Sequence, residues 1–391
     1  MNRIKILFLI HTLQIGGAEK VLVDLVNNMD QDKFDITVMT VVDTGAFKKA
    51  LNKNIKYKTI ISLPKRGNDK AGNKASGNLL SGKSKVKGMV AGLYQSFWRH
   101  VNLDKVYRKY IREKYDVEVA FLEGVATKII AHSNNPDSKK VAWVHIDLLK
   151  EKKSEMFYRN VEEEKKTYSK FDQVVAVSGL VRDSFIKKYG YDERKVIVKY
   201  NPIDVDNIKD KAGEMVEKKR FTICSVGRLS KQKGYLRLLE AVSALKREGI
   251  VFDVWIIGVG AEEGVLNGYI QANKLEDNVK LLGYKENPYP YIKSADLYVC
   301  SSITEGMSTT VSEAIVLGTP VVATDCSGMK ELLGDSEYGM VCENSEKGIE
   351  KAIRDVILDK KLYNDYKKKI KGRANFLDLK RSVEEISDLF I

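Results

Sequence analysis

Short, uninterrupted apolar runs alternate along this chain with segments of helical hydrophobic period, and the alternation occurs twice. The first set of runs is Ile4–Ile10, Ile36–Val42, Val117–Leu122, Val141–Val144, Val174–Val177 and Val196–Val198. The second is Thr222–Val226, Val254–Ile257, Val279–Leu282, Leu297–Val299, Val321–Ala323 and Met340–Cys342. Strands apolar on both faces must be covered on both faces, which is the condition of a parallel sheet with crossover helices. Stretches such as Leu236–Leu245 and Thr309–Leu317 supply those helices. The pattern predicts an α/β protein of two doubly wound, Rossmann-like units. At 391 residues the chain has the length for two domains. Asn201-Pro202-Ile203-Asp204, followed by a polar stretch to Arg220, marks the boundary. The expected division is 1–200, 201–372, and a last helical piece 373–391 returning to the first domain.

No apolar run approaches the ~20 residues needed to span a bilayer. The apolar start has basic residues but no small-residue cleavage site, so it reads as a buried first strand rather than a signal peptide. Cys224, Cys300, Cys326 and Cys342 show no CxxC spacing and read as buried free thiols in a reducing, cytoplasmic setting. Charge is divided unevenly. Residues 1–200 hold 38 Lys and Arg against 23 Asp and Glu, a net +15, whereas the remainder holds 28 against 30. A cationic half points to an anionic partner. Residues 65–88, rich in Lys, Gly, Asn and Ser, read as a mobile loop. The helix-like Met89–Lys114 that follows sets Trp98, Tyr107 and Tyr110 among Arg99, Lys105, Arg108, Lys109 and Arg112. Aromatic rings beside cations suit the headgroup layer of an anionic membrane.

Three stretches carry chemistry. Gly16-Gly17, between the first strand and a helix, lets backbone N–H groups approach an anion. Gly227-Arg228 through Lys233-Gly234 sets two cations just past the carboxyl end of a parallel strand, where open α/β sheets place ligands, and suits a diphosphate. Thr304 to Ala314 flanks a helix start with Glu305 and Glu313. The N–H groups of Met307, Ser308 and Thr309 can donate to sugar hydroxyls, and Glu313, about two turns into the helix, can accept from a ribose diol. Taken singly, each has a bland alternative: a tight turn, a solvated basic loop, a helix-dipole partner, a solvated helix face. His145, at the end of an apolar run, is taken alone a core or capping histidine.

In their order and spacing these pieces resemble the retaining glycosyltransferases of family four, with the GT-B fold, over nearly the whole chain. The likeness rests on Gly16-Gly17-Ala18-Glu19, Trp143-Val144-His145-Ile146-Asp147, Val177-Ser178, Tyr200 to Asp204, Gly227-Arg228 with Lys233-Gly234, Gly283-Tyr284, the pair Glu305 and Glu313, and Gly318 to Asp325. It implies two Rossmann-like domains facing across a cleft, and residue roles to match. Arg228 and Lys233 hold the donor diphosphate with help from Gly16 and Gly17. Glu305 and the backbone of Gly306, Met307, Ser308 and Thr309 hold the sugar, Glu313 the ribose, and Gly283-Tyr284 the base. His145 meets the sugar at its 6-hydroxyl or reacting centre, and with Glu305 is a catalytic candidate.

The implied reaction is transfer with retention of a hexose or N-acetylhexosamine from a nucleotide-sugar, a UDP-sugar, to a lipid-linked acceptor of a cell-surface polysaccharide. It would run at the inner face of the membrane, with no cofactor and no metal. Asp204-Val205-Asp206 imitates a DxD metal motif but lies in the linker, and no His/Cys cluster has metal-ligand spacing. Two other readings fit less well. A nucleotide-sugar 2-epimerase of the same fold needs further carboxylates and histidines. A nucleic-acid-binding protein needs an interleaved aromatic motif, absent outside Trp98–Arg112.

Overall fold

A computed structural model describes residues 3–62 and 85–391; of residues 85–88 it describes the backbone only. The chain divides into two compact units. Unit 1 is Met1–Pro202 with Lys380–Ile391, and unit 2 is Ile203–Leu379. The return to unit 1 therefore falls at Lys380, not at residue 373, because the turn Ala374–Leu377 packs on a helix of unit 2.

The described residues of unit 1 form a seven-stranded parallel sheet. Its strands are β1 (Ile4–Ile10), β2 (Phe34–Val42), β3 (Lys56–Ile61), β4 (Val117–Ala120), β5 (Lys139–Val144), β6 (Gln173–Ala176) and β7 (Val196–Val198), in the order β3-β2-β1-β4-β5-β6-β7. The apolar runs predicted in sequence form six of these. The seventh, β3, lies at the edge, and its Lys56, Tyr57, Lys58 and Thr59 are not buried. An edge strand needs burial on fewer sides and tolerates lysines, so it leaves no apolar run to find. The helices are α1 (Gly17–Asn28), α2 (Lys85–His100), α3 (Leu103–Tyr110), α4 (Val125–Ile130), α5 (Val161–Tyr168) and α6 (Gly179–Tyr189).

Met89–Lys114, expected as one helical stretch, is two helices. The first ends at His100, and Asn102 caps the second, its side chain accepting the Lys105 N–H at 3.0 Å. The loop expected over 65–88 lies outside the described residues, except at 85–88, which already belong to α2. Nor do the aromatic rings all face solvent. Trp98 and Tyr107 are buried: Lys128 Nζ donates to the Trp98 carbonyl at 3.0 Å, and the Tyr107 hydroxyl donates to buried Glu118 at 2.6 Å. Among the described side chains of α2, the large apolar ones exposed to solvent are Met89, Val90, Leu93 and Phe97.

Unit 2 opens with α7 (Val205–Lys211), inside the polar stretch expected to be linker; Asp204 caps it and Ile208 is buried. A six-stranded parallel sheet follows, of β8 (Thr222–Val226), β9 (Asp253–Ile257), β10 (Val279–Leu281), β11 (Leu297–Cys300), β12 (Val321–Thr324) and β13 (Met340–Cys342), ordered β10-β9-β8-β11-β12-β13. The helices needed below are α8 (Tyr235–Arg247), α9 (Glu263–Ala272), α10 (Tyr289–Ser294) and α11 (Thr309–Val316). The core joins Leu238, Leu239 and Val242 of α8 to Ile223, Val254 and Val299 of the sheet. All four cysteines are free and buried.

Both sheets reverse their strand order at one place, between β1 and β4 in unit 1 and between β8 and β11 in unit 2. Crossovers leave such a switch point to opposite faces, which opens a crevice at the carboxyl ends of the two strands.

Candidate functional site

In unit 2 the switch point holds the residues that sequence reasoning selected. β8 runs into Gly227 and Arg228; Arg228 is exposed, and a turn over Lys231–Lys233 leads to α8. β11 runs into Ser301 and the loop that carries Glu305. The two loops are tied together. Ile303 N–H donates to the Gln232 carbonyl at 2.8 Å, Ser301 Oγ to the Lys233 carbonyl at 2.9 Å, and Gln232 Nε2 to the Thr304 carbonyl at 3.1 Å. Gly234 closes the turn at φ +64°, and a Cβ there would fall 2.2 Å from the Ser301 carbonyl oxygen.

The result is a partly buried pair, Lys233 Nζ and Glu305 Oε1, 2.5 Å apart, with Ser302 Oγ donating to the same oxygen at 2.6 Å. Burial works against the ammonium, but Glu305 outweighs it, and the Lys233 pKa stands above its ordinary value. The charge on Lys233 is thus secure at any physiological pH. The pair can meet an anionic leaving group with the cation and a hydroxyl donor with the carboxylate.

Ser308 caps α11, accepting the Val311 N–H at 3.3 Å, and Met307 and Ser308 are buried. A helix start leaves its first N–H groups, here those of Thr309 and Thr310, without acceptors of their own helix. Glu313 lies one turn into α11, not two, since the helix begins at Thr309. It is also buried, at 5% exposure, with the Tyr289 hydroxyl of α10 3.5 Å from its Oε1, so it does not belong to a solvated helix face. Gly283 follows β10 at φ +66° with open space beside it, its carbonyl accepts the Gly258 N–H at 2.9 Å, and Tyr284 beyond it is exposed.

Sequence reasoning passed over Gly258. A Cβ there would lie 1.9 Å from the Gly227 carbonyl oxygen, so the strand ends of β8 and β9 can come together only without side chains. A glycine directly after an apolar strand was the available signal.

In unit 1, Gly16 is the N-cap of α1, and the Glu19 side chain folds back on it, to within 2.2 Å of where a Cβ would stand. The start of α1 thus carries a carboxylate as well as its N–H groups. His11 follows β1, with the Tyr94 hydroxyl 3.4 Å from its Nε2, and burial pushes its pKa down to about 4.

His145 directly follows β5. Its ring lies against Phe121 at 5.1 Å, its Nε2 is buried without a partner, and burial pushes its pKa down to about 4. It is a neutral imidazole at physiological pH. Glu123, which sequence reasoning missed, follows β4 at the switch point. Its carboxyl accepts the backbone N–H groups of His145 and, at 3.1 Å, of Ile146. Burial pushes its pKa up to about 7 despite those two donors.

No described helix is long and apolar enough to cross a membrane, and among the described residues no group of three or more His, Cys, Asp or Glu could hold a metal ion. Asp204 spends its side chain on the Asn207 N–H at 3.0 Å.

Two family models match. The model described as Glycosyltransferase Family 4 covers residues 15–207, and Glycosyl transferases group 1 covers 206–373. A curated relative from Campylobacter jejuni, N-acetylgalactosamine-N,N'-diacetylbacillosaminyl-diphospho-undecaprenol 4-alpha-N-acetylgalactosaminyltransferase, is 33% identical over 213 residues, 54% of this chain and 58% of that protein. The putative colanic acid biosynthesis glycosyltransferase WcaL of Escherichia coli is 30% identical over 42% of each chain. The chain spans about half the length of the first curated relatives it matches, between 47% and 58%. Among solved structures, HepE of Anabaena in complex with UDP and glucose matches with a TM-score of 0.75 at 21% identity over 99% of both chains. A glycosyltransferase from Rickettsia africae matches with 0.71 at 17% identity, over 100% of this chain and 98% of that one. At these identities the structural likeness establishes the fold.

Proposed function

Because this chain belongs to the family-four glycosyltransferases of the GT-B fold, we propose that it transfers a hexosyl or N-acetylhexosaminyl group, with retention, from a UDP-sugar to a lipid-linked saccharide of a cell-surface polysaccharide. The observation that carries the reading is the Lys233–Glu305 pair at the switch point of unit 2, with Arg228 on the same strand end. Glycosyl transfer breaks the bond from the anomeric carbon to the diphosphate. The electron pair leaves with the nucleoside diphosphate, and Arg228, Lys233 and the N–H groups of Gly16 and Gly17 take up the charge. Glu305 and the backbone of Gly306 to Thr309 hold the sugar hydroxyls, Glu313 the ribose and Gly283-Tyr284 the base. His145, neutral, meets the sugar. The acceptor hydroxyl bonds to the anomeric carbon, and its proton goes to the departing phosphate.

The UDP reading is supported by the UDP bound in the Anabaena structure, and the lipid-linked acceptor by the diphospho-undecaprenol in the name of the Campylobacter relative. The test is a screen of UDP-, GDP-, ADP- and TDP-sugars, scored by nucleotide release. Release from UDP-sugars is expected. Preference for GDP-sugars would overturn the base assignment, and release from none of them would overturn the transferase reading.

The two cations and the helix starts do the work that a metal does elsewhere. Turnover should therefore be unchanged in excess EDTA. Loss on chelation with recovery in Mn²⁺ would show that a metal is required and reopen the role of Asp206.

The acceptor reading brings the protein to the cytoplasmic membrane surface. The support is α2, which buries Trp98 on its inner side and also carries apolar side chains on its outer side. Gln95 and Arg99 turn to the body of unit 1, where Arg99 Nε donates to the Met156 carbonyl at 2.8 Å, while Met89, Leu93 and Phe97, one turn apart, are more than half exposed. On α3 and just past its end, Lys105, Arg108, Lys109 and Arg112 are exposed. Apolar side chains beside cations fit an anionic lipid interface, at about 1 kcal/mol per cation near the surface. Vesicle co-sedimentation should rise with phosphatidylglycerol, fall with salt, and drop at least tenfold in the triple variant Met89→Ser, Leu93→Ser, Phe97→Ser. Failure of the wild-type protein to sediment at low salt would remove the membrane reading.

A further inference from the structure

Glu123 has no part in the donor chemistry above, yet its carboxyl is placed with care. Gly124, at φ +83° and with no room for a Cβ beside the Phe157 ring, fixes its backbone from one side, and the Tyr158 hydroxyl donates to the Gly124 carbonyl at 3.3 Å. From there the side chain crosses from the end of β4 to the end of β5. One oxygen, Oε1, receives two consecutive N–H groups, those of His145 and Ile146. Consecutive N–H groups diverge in an extended strand, so a shared acceptor turns the chain out of β5 at this residue.

The turn continues through Asp147, whose side chain accepts the Leu149 N–H at 3.1 Å and whose carbonyl accepts from Lys150 at 3.1 Å. The His145 ring rides on the turned backbone and packs against the Phe121 ring. Its Nε2 is buried and has no partner within the fold, which leaves it for something outside the fold.

We propose that Glu123 is a positioning residue of the transfer reaction: it holds the His145–Ile146 backbone so that the His145 ring presents Nε2 to a hydroxyl of the donor sugar. The inference rests on the assignment of His145 to the donor sugar made above, and it adds the group that sets the imidazole. A carboxyl is suited to the task in either protonation state, because an acid protonated on Oε2 still accepts at Oε1. The same reasoning admits an amide and excludes a shorter acid or a methyl group.

The test is a double-mutant cycle on kcat with a UDP-sugar donor that the wild-type enzyme turns over. Glu123→Gln should retain kcat within about threefold. Glu123→Ala and Glu123→Asp should each lose roughly ten- to a hundredfold. In the His145→Ala background the same two changes should cost less than about twofold, because the group they position is gone.

A Gln variant as slow as the Ala variant would overturn the acceptor role. Losses that multiply in the double variants would show that Glu123 acts independently of His145, and would also overturn it. His145→Ala at the wild-type rate is a separate result: it removes the His145 assignment itself. If Glu123→Ala fails to fold, Glu123→Asp carries the cycle, with circular dichroism confirming that it is folded.

Discussion

Replacing Lys233 with alanine should lower turnover by roughly 10²–10³-fold, and it should also destabilise unit 2. The two effects have different causes and can be separated. On the proposed assignment, turnover falls because the leaving diphosphate loses a cation, where one such partner is worth about 3–4 kcal/mol. Stability falls because Glu305, 9% exposed, is left with Ser302 as its one remaining hydrogen-bond donor on Oε1. Breaking a fully buried pair costs about 3–5 kcal/mol, and this one is less buried, so roughly 2–3 kcal/mol is expected. Lys233→Ala combined with Glu305→Gln should recover most of the melting temperature, since the stranded charge is gone, but none of the turnover. A Lys233→Ala protein with wild-type turnover would remove the diphosphate assignment.

Gly258→Ala should be the most damaging small substitution in unit 2. The native φ of +145° is open in practice to glycine alone, and the added methyl would overlap the Gly227 carbonyl, a backbone atom with no side-chain freedom to yield. Strain and overlap together are worth roughly 3–5 kcal/mol, which for a unit of this size lowers the melting temperature by about 10 °C. The strand end that carries Gly227 and Arg228 would move with it, so donor binding should weaken as well. Gly264→Ala and Gly268→Ala are the controls. Both glycines lie on α9 with open space where a Cβ would go, and alanine there should be neutral or stabilising by up to about 1 kcal/mol. Equal melting temperatures for Gly258→Ala and the wild type would show that the β8 and β9 ends are not held as described.

The sheets were legible in sequence wherever burial on both faces writes a continuous apolar run, as in Phe8 and Leu9 of β1 or Val322 and Ala323 of β12. The same logic fails at β3, where an edge strand carries lysines, and at α7, too short and polar for its period to stand out from the surrounding loop. Trp98 and Tyr107 were misread for a related reason. Aromatic rings among cations look alike whether they face lipid or fill a core, and only the partners of Trp98 and Tyr107, Lys128 and Glu118, decide between the two. Within the site, Lys233 and Glu305 stand 72 residues apart, and their spacing alone does not show that β8 and β11 are neighbours. Glu123 left fainter traces. Its one signal was an acid just past an apolar strand, and its function of holding two backbone N–H groups exists only once β4 and β5 lie side by side.

Unit 1 is also the unit whose chain is interrupted. Phe390 packs edge-on against Phe8 of the central strand β1 at 5.7 Å, and Lys139 Nζ donates to the Leu389 carbonyl at 2.6 Å. On the ribosome, the residues that begin unit 1 leave first and those that finish it come after the whole of unit 2. At about 5–20 residues per second the delay is on the order of 10–35 s. Throughout that interval the earlier-made sheet waits with Phe8 uncovered by Phe390. A nascent chain stalled before Lys380 would therefore lack the segment that finishes unit 1, and the species that chaperones and proteases meet in the cell is the half that was synthesised first.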